Sequence, residues 1–107
     1  MTERKPPKTL GAEGRKYWRS VVRNFVLEEH HYPILKVASQ ALDRADEARQ
    51  VIEAEGMLLT PANGGMKRAN PMIASEREAM GIFLRAEKQL GLDVIETGTP
   101  GRPAKGI

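Results

Sequence analysis

The apolar positions of the chain recur at helical spacing in three segments, which glycine and proline residues separate. The first segment runs from about Ala12 to Leu27, and its apolar residues form one stripe of an amphipathic helix. That stripe consists of Trp18, Val21, Val22 and Phe25. Because Trp18 lies in register with apolar neighbours, we expect it to pack in the core rather than to stack on a nucleic-acid base.

A second and longer helix is predicted to have Pro33 in its first turn and to end at Glu55. Its apolar residues recur at alternating steps of four and three, and a few neighbours widen the stripe. They are Ile34, Ala38, Ala41, Ala45, Ala48 and Ile52, with Leu35, Leu42 and Val51 beside them. At about 1.5 Å per residue this helix is roughly 35 Å long, so the first helix covers only part of it. We therefore expect a helical hairpin on which another element packs.

The third helix is predicted to begin at Asn70-Pro71, where a side-chain cap precedes a residue of fixed φ, and to end at about Leu90. Gly91 is suited to terminate it in the left-handed conformation. Gly81 interrupts the helix interior and indicates either a close helix crossing or a slight bend.

The segment from Gly56 to Pro71 separates the second helix from the third. Residues 57–60 and 66–69 favour two short extended runs, and residues 62–65 favour a tight reversal that uses positive φ angles. The predicted fold class is therefore mainly all-α. It is a helical hairpin plus a third helix, with a short β-hairpin or ordered loop inserted between helices two and three.

A chain of 107 residues fits one domain, and its aromatic content of 5% implies a core of aliphatic side chains. We expect a flexible basic arm at residues 1–9, a helical domain at residues 10–92, and a flexible tail at residues 93–107. No run of eighteen apolar residues occurs, so neither a secreted nor a membrane-spanning protein is expected.

The net charge of +3 is unevenly distributed along the chain. Residues 1–27 hold seven Lys or Arg against two Glu, a net charge of +5, and residues 28–55 hold three against seven, a net charge of −4. This polarity suits a polyanion partner for the N-terminal part, head-to-tail packing between subunits, or two solvated helix faces.

Candidate phosphate contacts fall in three groups, one in the arm, one on the first helix and one in the insertion. They are Arg4, Lys5 and Lys8; Arg15, Lys16, Arg19 and Arg23; and Lys67 and Arg68. A further candidate in the tail is Gly101-Arg102-Pro103, which is similar to the minor-groove core of AT-hook peptides.

Catalytic and metal-binding patterns are absent from the sequence. It contains no phosphate-binding loop, zinc-protease or nucleophile-elbow motif, and no cysteine. The adjacent His30 and His31 make a poor metal pair because neighbouring residues of a helix point in different directions. We interpret the carboxylates of the second helix, Asp43 among them, as a solvated or subunit-facing surface. We therefore expect no enzymatic activity, no cofactor and no bound metal.

The order of these parts resembles the small terminase subunits of tailed bacteriophages, in particular the P27-type group. The resemblance covers about residues 6–92 and rests on the order and spacing of several features. They are Pro6-Pro7 and Trp18 in the first part, the long Ala-rich second helix, the insertion from Gly56 to Asn70-Pro71, and the Leu90-Gly91-Leu92 ending. The chain departs from that pattern in the Glu-Glu-His-His-Tyr-Pro start of its second helix and in a tail without a Ser- and Arg-rich ending.

The resemblance implies a non-enzymatic homo-oligomeric ring that engages double-stranded viral DNA. Such a ring presents the DNA to the large terminase subunit, which carries the ATPase and nuclease, in the host cytoplasm during phage assembly. The alternative is a small helical protein-interaction module, a scaffold or adaptor without DNA binding. A dimeric transcriptional regulator is less favoured, because no compact helix-turn-helix with a polar recognition helix is present.

Overall fold

The computed structural model describes residues 4–92. Within this range the chain forms three helices, α1 (Ala12–Asn24), α2 (His31–Glu55) and α3 (Pro71–Leu90). Two short strands, β1 (Leu58–Leu59) and β2 (Arg68–Ala69), lie between α2 and α3. The predicted mainly helical fold with a short hairpin before the third helix is confirmed. The tail at residues 93–107, including Gly101-Arg102-Pro103, lies outside the described residues.

The first helix ends three residues earlier than the sequence predicts, at Asn24 instead of Leu27. Phe25 adopts an extended backbone with φ −136° and ψ 149°, and its N–H donates to the Val21 carbonyl oxygen at 2.9 Å. Phe25 and Leu27 both pack against the core. In a continuing helix the side chains of Phe25 and Leu27, two positions apart, would point to nearly opposite sides. The extended backbone lets both pack against the core, and this packing outweighs the local preference for helix.

A cluster of buried apolar side chains lies where α1, the start of α2 and the end of α3 come together. Trp18 is 3% exposed and Leu35 is fully buried, and they pack with Leu10, Val21 and Leu90. The indole Nε1 of Trp18 donates to the Arg4 carbonyl oxygen at 2.9 Å, so its polar edge is satisfied inside the protein. The prediction that Trp18 is a packing residue is confirmed.

The remainder of α2 packs along α3 through small residues. The four alanines of the predicted seam, Ala38, Ala41, Ala45 and Ala48, are all buried, and so are Ala79 and Ala86 on α3. An exposed ion pair between Arg49 and Glu76, with an N–O distance of 2.9 Å, joins the two helices beside this seam. The expectation that another element covers the long second helix is met by α3.

The two strands pair antiparallel, with Leu58 opposite Ala69 and Leu59 opposite Arg68. Of the four residues expected to supply positive φ in the reversal, Gly64 does so, with φ 79°. We name residues 57–69 the hairpin. Its base is closed by Asn70, whose N–H donates to the Met57 carbonyl oxygen at 2.8 Å and whose Nδ2 donates to the Gly56 carbonyl oxygen at 2.9 Å.

Asn70 also caps α3, as the sequence predicts, because its Oδ1 accepts a hydrogen bond from the Met72 N–H at 3.0 Å. At the other end Gly91 has φ 64° and ψ 39°, the left-handed conformation, and its N–H bonds to the carbonyl oxygens of Glu87 and Lys88. This turn brings Leu92 back against the core. Both predicted ends of α3 are therefore confirmed.

Candidate nucleic-acid interface

Seven of the nine predicted basic site residues lie on one continuous surface formed by the arm and α1. Two adjoining grooves make up this surface, and Arg19 and Arg23 line both of them. The larger groove has a volume of 460 Å³ and is lined by Arg4, Lys5, Lys8, Arg15, Arg19 and Arg23, with Pro6 and Val22. Lys16 lines the second groove. Within residues 4–92 no carboxylate lines either groove, so the surface, which we name the basic α1 surface, has one sign of charge.

Arg4 attaches the arm to the helical core. Its guanidinium lies 3.9 Å above the centre of the Tyr32 ring and is 2.6 Å from the Glu29 carboxylate. Its carbonyl oxygen accepts the Trp18 hydrogen bond described above. Because Glu29 and Tyr32 already engage the charge of Arg4, this residue positions the arm more than it attracts a phosphate.

The rest of the arm lies alongside α1 and ends at Leu10, which is 2% exposed. The Leu10 N–H donates to the Pro7 carbonyl oxygen at 3.2 Å, and the Arg15 Nη2 donates to the Lys8 carbonyl oxygen at 3.0 Å. These contacts direct Lys5 and Lys8 to the same groove as the arginines of α1. The flexibility of the arm stays a prediction.

The start of α1 is held by Asp43, a residue of α2 that the sequence suggested only as a surface carboxylate. Gly11, at the N-cap position, has no side chain with which to cap the helix. The two Asp43 carboxylate oxygens instead accept hydrogen bonds from the Gly11 N–H at 2.6 Å and the Gly14 N–H at 2.8 Å. The interpretation of Asp43 as solvated or subunit-facing was therefore wrong. It neutralises free N–H groups at the positive end of α1.

Gly14 is buried at the contact with α2, and its lack of a side chain allows the two helices to approach closely. A Cβ atom at this position would lie 2.7 Å from the Ser39 carbonyl oxygen and would overlap the Asp43 carboxylate. At Gly81, by contrast, an added Cβ would meet only the Arg85 guanidinium, at 3.4 Å. The close crossing is thus at Gly14 and not at Gly81, where the sequence had left a crossing and a slight bend as alternatives. The sequence signal was present in the glycines at positions 11 and 14, one helical turn apart.

Lys67 and Arg68 lie apart from the basic α1 surface, on the hairpin between α2 and α3. Both are exposed, and Arg68 belongs to β2. The structure therefore divides the nine predicted cations into two groups, seven on the arm and α1 and two on the hairpin. The sequence separated three groups and did not indicate that those of the arm and α1 share one surface.

Two titratable groups in the described range, residues 4–92, have shifted pKa values. Burial and the Glu87 carboxylate raise the pKa of Tyr17, whose hydroxyl donates to Glu87 Oε2 at 3.3 Å. Burial, followed by the neighbouring His30, lowers the pKa of His31, whose Nδ1 accepts a hydrogen bond from the Glu28 N–H at 2.9 Å.

Within residues 4–92 no cluster of His, Asp and Glu has the arrangement of a metal site. No helix in the described range is long and apolar enough to cross a membrane.

Fold and site together define a small, mainly helical protein with a cationic surface on its first helix. The family model described as phage terminase, small subunit, matches residues 14–96. Since the match covers most of the chain, this protein belongs to the phage terminase small subunit family. No curated protein and no solved structure matches it. The matched range begins after the arm, inside the first turn of α1, and it includes the arginines of that helix.

Proposed function

We propose that this terminase small subunit is a non-enzymatic, ring-forming factor that binds double-stranded viral DNA and delivers it to the large terminase subunit. The large subunit, in this proposal, carries the ATPase and the nuclease. The small subunit contributes binding and positioning of the DNA, and it acts in the host cytoplasm during phage assembly. No catalytic group and no cofactor is assigned to it.

The observation that carries the DNA-binding proposal is the basic α1 surface. Lys5, Lys8, Arg19 and Arg23 are exposed there, and within residues 4–92 none of them forms an ion pair. Cations that face solvent without a neighbouring carboxylate attract phosphates and release the counterions of DNA on binding. Such contacts fix the position of the duplex and carry little base specificity.

The proposed ring also favours DNA binding. Its subunits repeat around a closed circle, so many weak phosphate contacts act on one DNA segment. The unequal charges of residues 1–27 and 28–55 favour head-to-tail contacts between copies. Membership of the terminase small subunit family supports the proposed delivery to the large subunit.

An adaptor without DNA binding is the second candidate, and the hairpin favours it. Met57, Leu58 and Met66 are 64%, 59% and 87% exposed, which is typical of a surface that contacts another protein. DNA binding through phosphates requires an affinity for DNA that falls steeply as the salt concentration rises. An adaptor has no such requirement.

The test is the affinity for duplex DNA, measured by fluorescence anisotropy from about 50 to 200 mM salt. We expect the variant Arg19→Ala with Arg23→Ala to bind more weakly at low salt. Its slope of log affinity against log salt should be shallower by about 1.8, since each lost phosphate contact contributes roughly 0.9.

The matched control is Arg77→Ala with Arg85→Ala, which removes the same charge from exposed positions of α3 outside both basic grooves. This control should keep the slope of the unmodified protein. Equal losses in the two variants would reject a specific role for the α1 surface, and a flat salt response of the unmodified protein would favour the adaptor.

A further inference from the structure

The hairpin exposes apolar side chains on an element that has little support of its own. From Met57 to Ala69 every residue except Leu59 and Pro61 is exposed, and the strands hold only two residues each. An isolated two-stranded hairpin is marginally stable in water, and exposed methionines are common at protein interfaces. Contact with a further surface would both stabilise the hairpin and cover Met66, its most exposed large apolar residue.

A surface of complementary chemistry lies between α2 and α3. Here a groove of 410 Å³ has an apolar floor that includes Val51, Met72 and Ile82, and it is also lined by the exposed carboxylates Glu47 and Glu78. A second cleft of 230 Å³ continues it toward Val37, and the two share Arg44, Ala79 and Ile82. Arg44 lies where the groove and the cleft meet. The 410 Å³ groove is therefore lined by two carboxylates, Glu47 and Glu78, and by one cation, Arg44.

We propose that the hairpin of one copy docks into the α2–α3 groove of the next copy. This inference rests on the proposed ring and names the surfaces that join its subunits. Met66 packs on the apolar floor, and Lys67 and Arg68 face Glu47 and Glu78. Because two different surfaces meet, the contact is head-to-tail, the type of interface that closes a ring when the rotation between copies permits.

Charge and apolar character both favour a second copy over DNA as the occupant of the hairpin. The two cations of the hairpin stand among Met57, Leu58 and Met66, whereas the cations of the basic α1 surface are clustered with one another. Exposed methionines gain little from a phosphate backbone but gain from an apolar groove. DNA contact by Lys67 and Arg68 is the competing outcome of the tests below.

The absence of cysteine from the chain permits a direct test by cross-linking. Two single-cysteine variants, Met66→Cys and Ser75→Cys, are mixed under mild oxidation, and one carries a mass tag so that the mixed disulfide is resolved by mass. Ser75 lines the groove, and Ser20→Cys is the control because Ser20 lies on α1 outside it. We expect Met66→Cys to cross-link with Ser75→Cys far more than with Ser20→Cys or with itself.

Equal cross-linking of Met66→Cys to both partners would overturn the proposal. So would cross-linking of Met66→Cys chiefly to itself, since that result indicates hairpins that pair with each other across a two-fold axis.

Charge reversal gives an independent test with a rescue. The variant Lys67→Glu with Arg68→Glu and the variant Glu47→Lys with Glu78→Lys should each assemble roughly tenfold more weakly, because like charges then meet at the contact. The chain that carries all four substitutions should recover assembly. The measurement is oligomer mass by sedimentation or native mass spectrometry, with DNA affinity determined on the same samples.

The outcomes separate this inference from the proposed function. If reversal at Lys67 and Arg68 lowers DNA affinity while the oligomer mass stays unchanged, the hairpin contacts DNA and the docking is wrong. A protein that stays monomeric refutes both the ring and the docking, whereas the DNA affinity of the α1 surface is measured separately by the Arg19 and Arg23 variant. Restored assembly in the fourfold variant supports the docking.

Discussion

Replacing Gly14 with alanine tests the closest approach of α1 to α2. In the structure Gly14 is buried beneath the Asp43 carboxylate, and its N–H donates to Asp43 Oδ1 at 2.8 Å. The added Cβ would lie 2.7 Å from the Ser39 carbonyl oxygen, which belongs to the backbone of α2 and cannot rotate away. The helices must therefore separate, and the Asp43 cap must break or lengthen.

The magnitude follows from three contributions with different signs. Overpacking costs about 1–3 kcal/mol, loss of a helix cap costs about 1 kcal/mol, and the better helix propensity of alanine returns up to about 1 kcal/mol. We therefore expect the free energy of unfolding to fall by about 2 kcal/mol, which lowers the melting temperature by roughly 10 °C in a domain of this size.

The assay is urea unfolding followed by circular dichroism at fixed protein concentration, because any self-association adds to the apparent stability. Gly81→Ala is the matched control. It makes the same chemical change inside a helix, but its Cβ meets only the mobile Arg85 guanidinium at 3.4 Å. We expect this control to raise the free energy of unfolding by about 0.5–1 kcal/mol through helix propensity.

Opposite signs for the two substitutions would establish the close crossing at Gly14. If Gly14→Ala proved neutral, or stabilising to the same extent as Gly81→Ala, α1 would not lie against Ser39 and Asp43 as described. Helix propensity alone would then explain both variants, and a close crossing at Gly14 would be refuted.

Two further predictions concern the ends of helices. Asn70→Ala should lower the free energy of unfolding by about 1–3 kcal/mol and speed amide hydrogen exchange in the hairpin. It removes the α3 cap and leaves the Gly56 carbonyl oxygen without its Asn70 partner. Gln89→Ala, at an exposed position of α3, is the control and should leave both measurements nearly unchanged. For His31, whose folded-state pKa lies below the ordinary 6.5, the neutral form is favoured by folding, so stability should decline as pH falls below that value. His31→Asn keeps an acceptor for the Glu28 N–H and should remove this part of the pH dependence, as pH-dependent unfolding curves will show; an unchanged curve would contradict it.

Local residue chemistry was sufficient to predict most of the secondary structure. Pro71 follows a capping asparagine, Gly91 follows the last apolar residue of α3, and the alanine seam of α2 marks a buried helix face. Each of these signals acts through backbone dihedrals or periodicity within a few residues, so no partner element is needed to interpret it. The end of α1 was missed because core burial of Phe25 and Leu27 depends on the rest of the fold.

The candidate site was predicted in its residue types but not in its arrangement. The seven cations of the arm and α1 were identified from charge alone, and the structure brings them to two adjoining grooves. The contacts that position these cations were not predicted, because they join residues far apart in the sequence. Trp18 and Arg4 are 14 residues apart, and Asp43 and Gly14 are 29 residues apart. The separate location of Lys67 and Arg68 likewise depends on where the hairpin stands relative to α1.

The sequence by itself determined the helices, the hairpin between the second and third of them, and the excess of positive charge in the first 27 residues. These properties follow from local conformational preference and from composition, which do not require knowledge of distant contacts. Only the tertiary structure decided that Asp43 caps α1, that Gly14 permits the close crossing, and that the cations form two separate groups. Those features arise from through-space contacts between residues far apart in the chain, and packing of the whole domain fixes the distances between them.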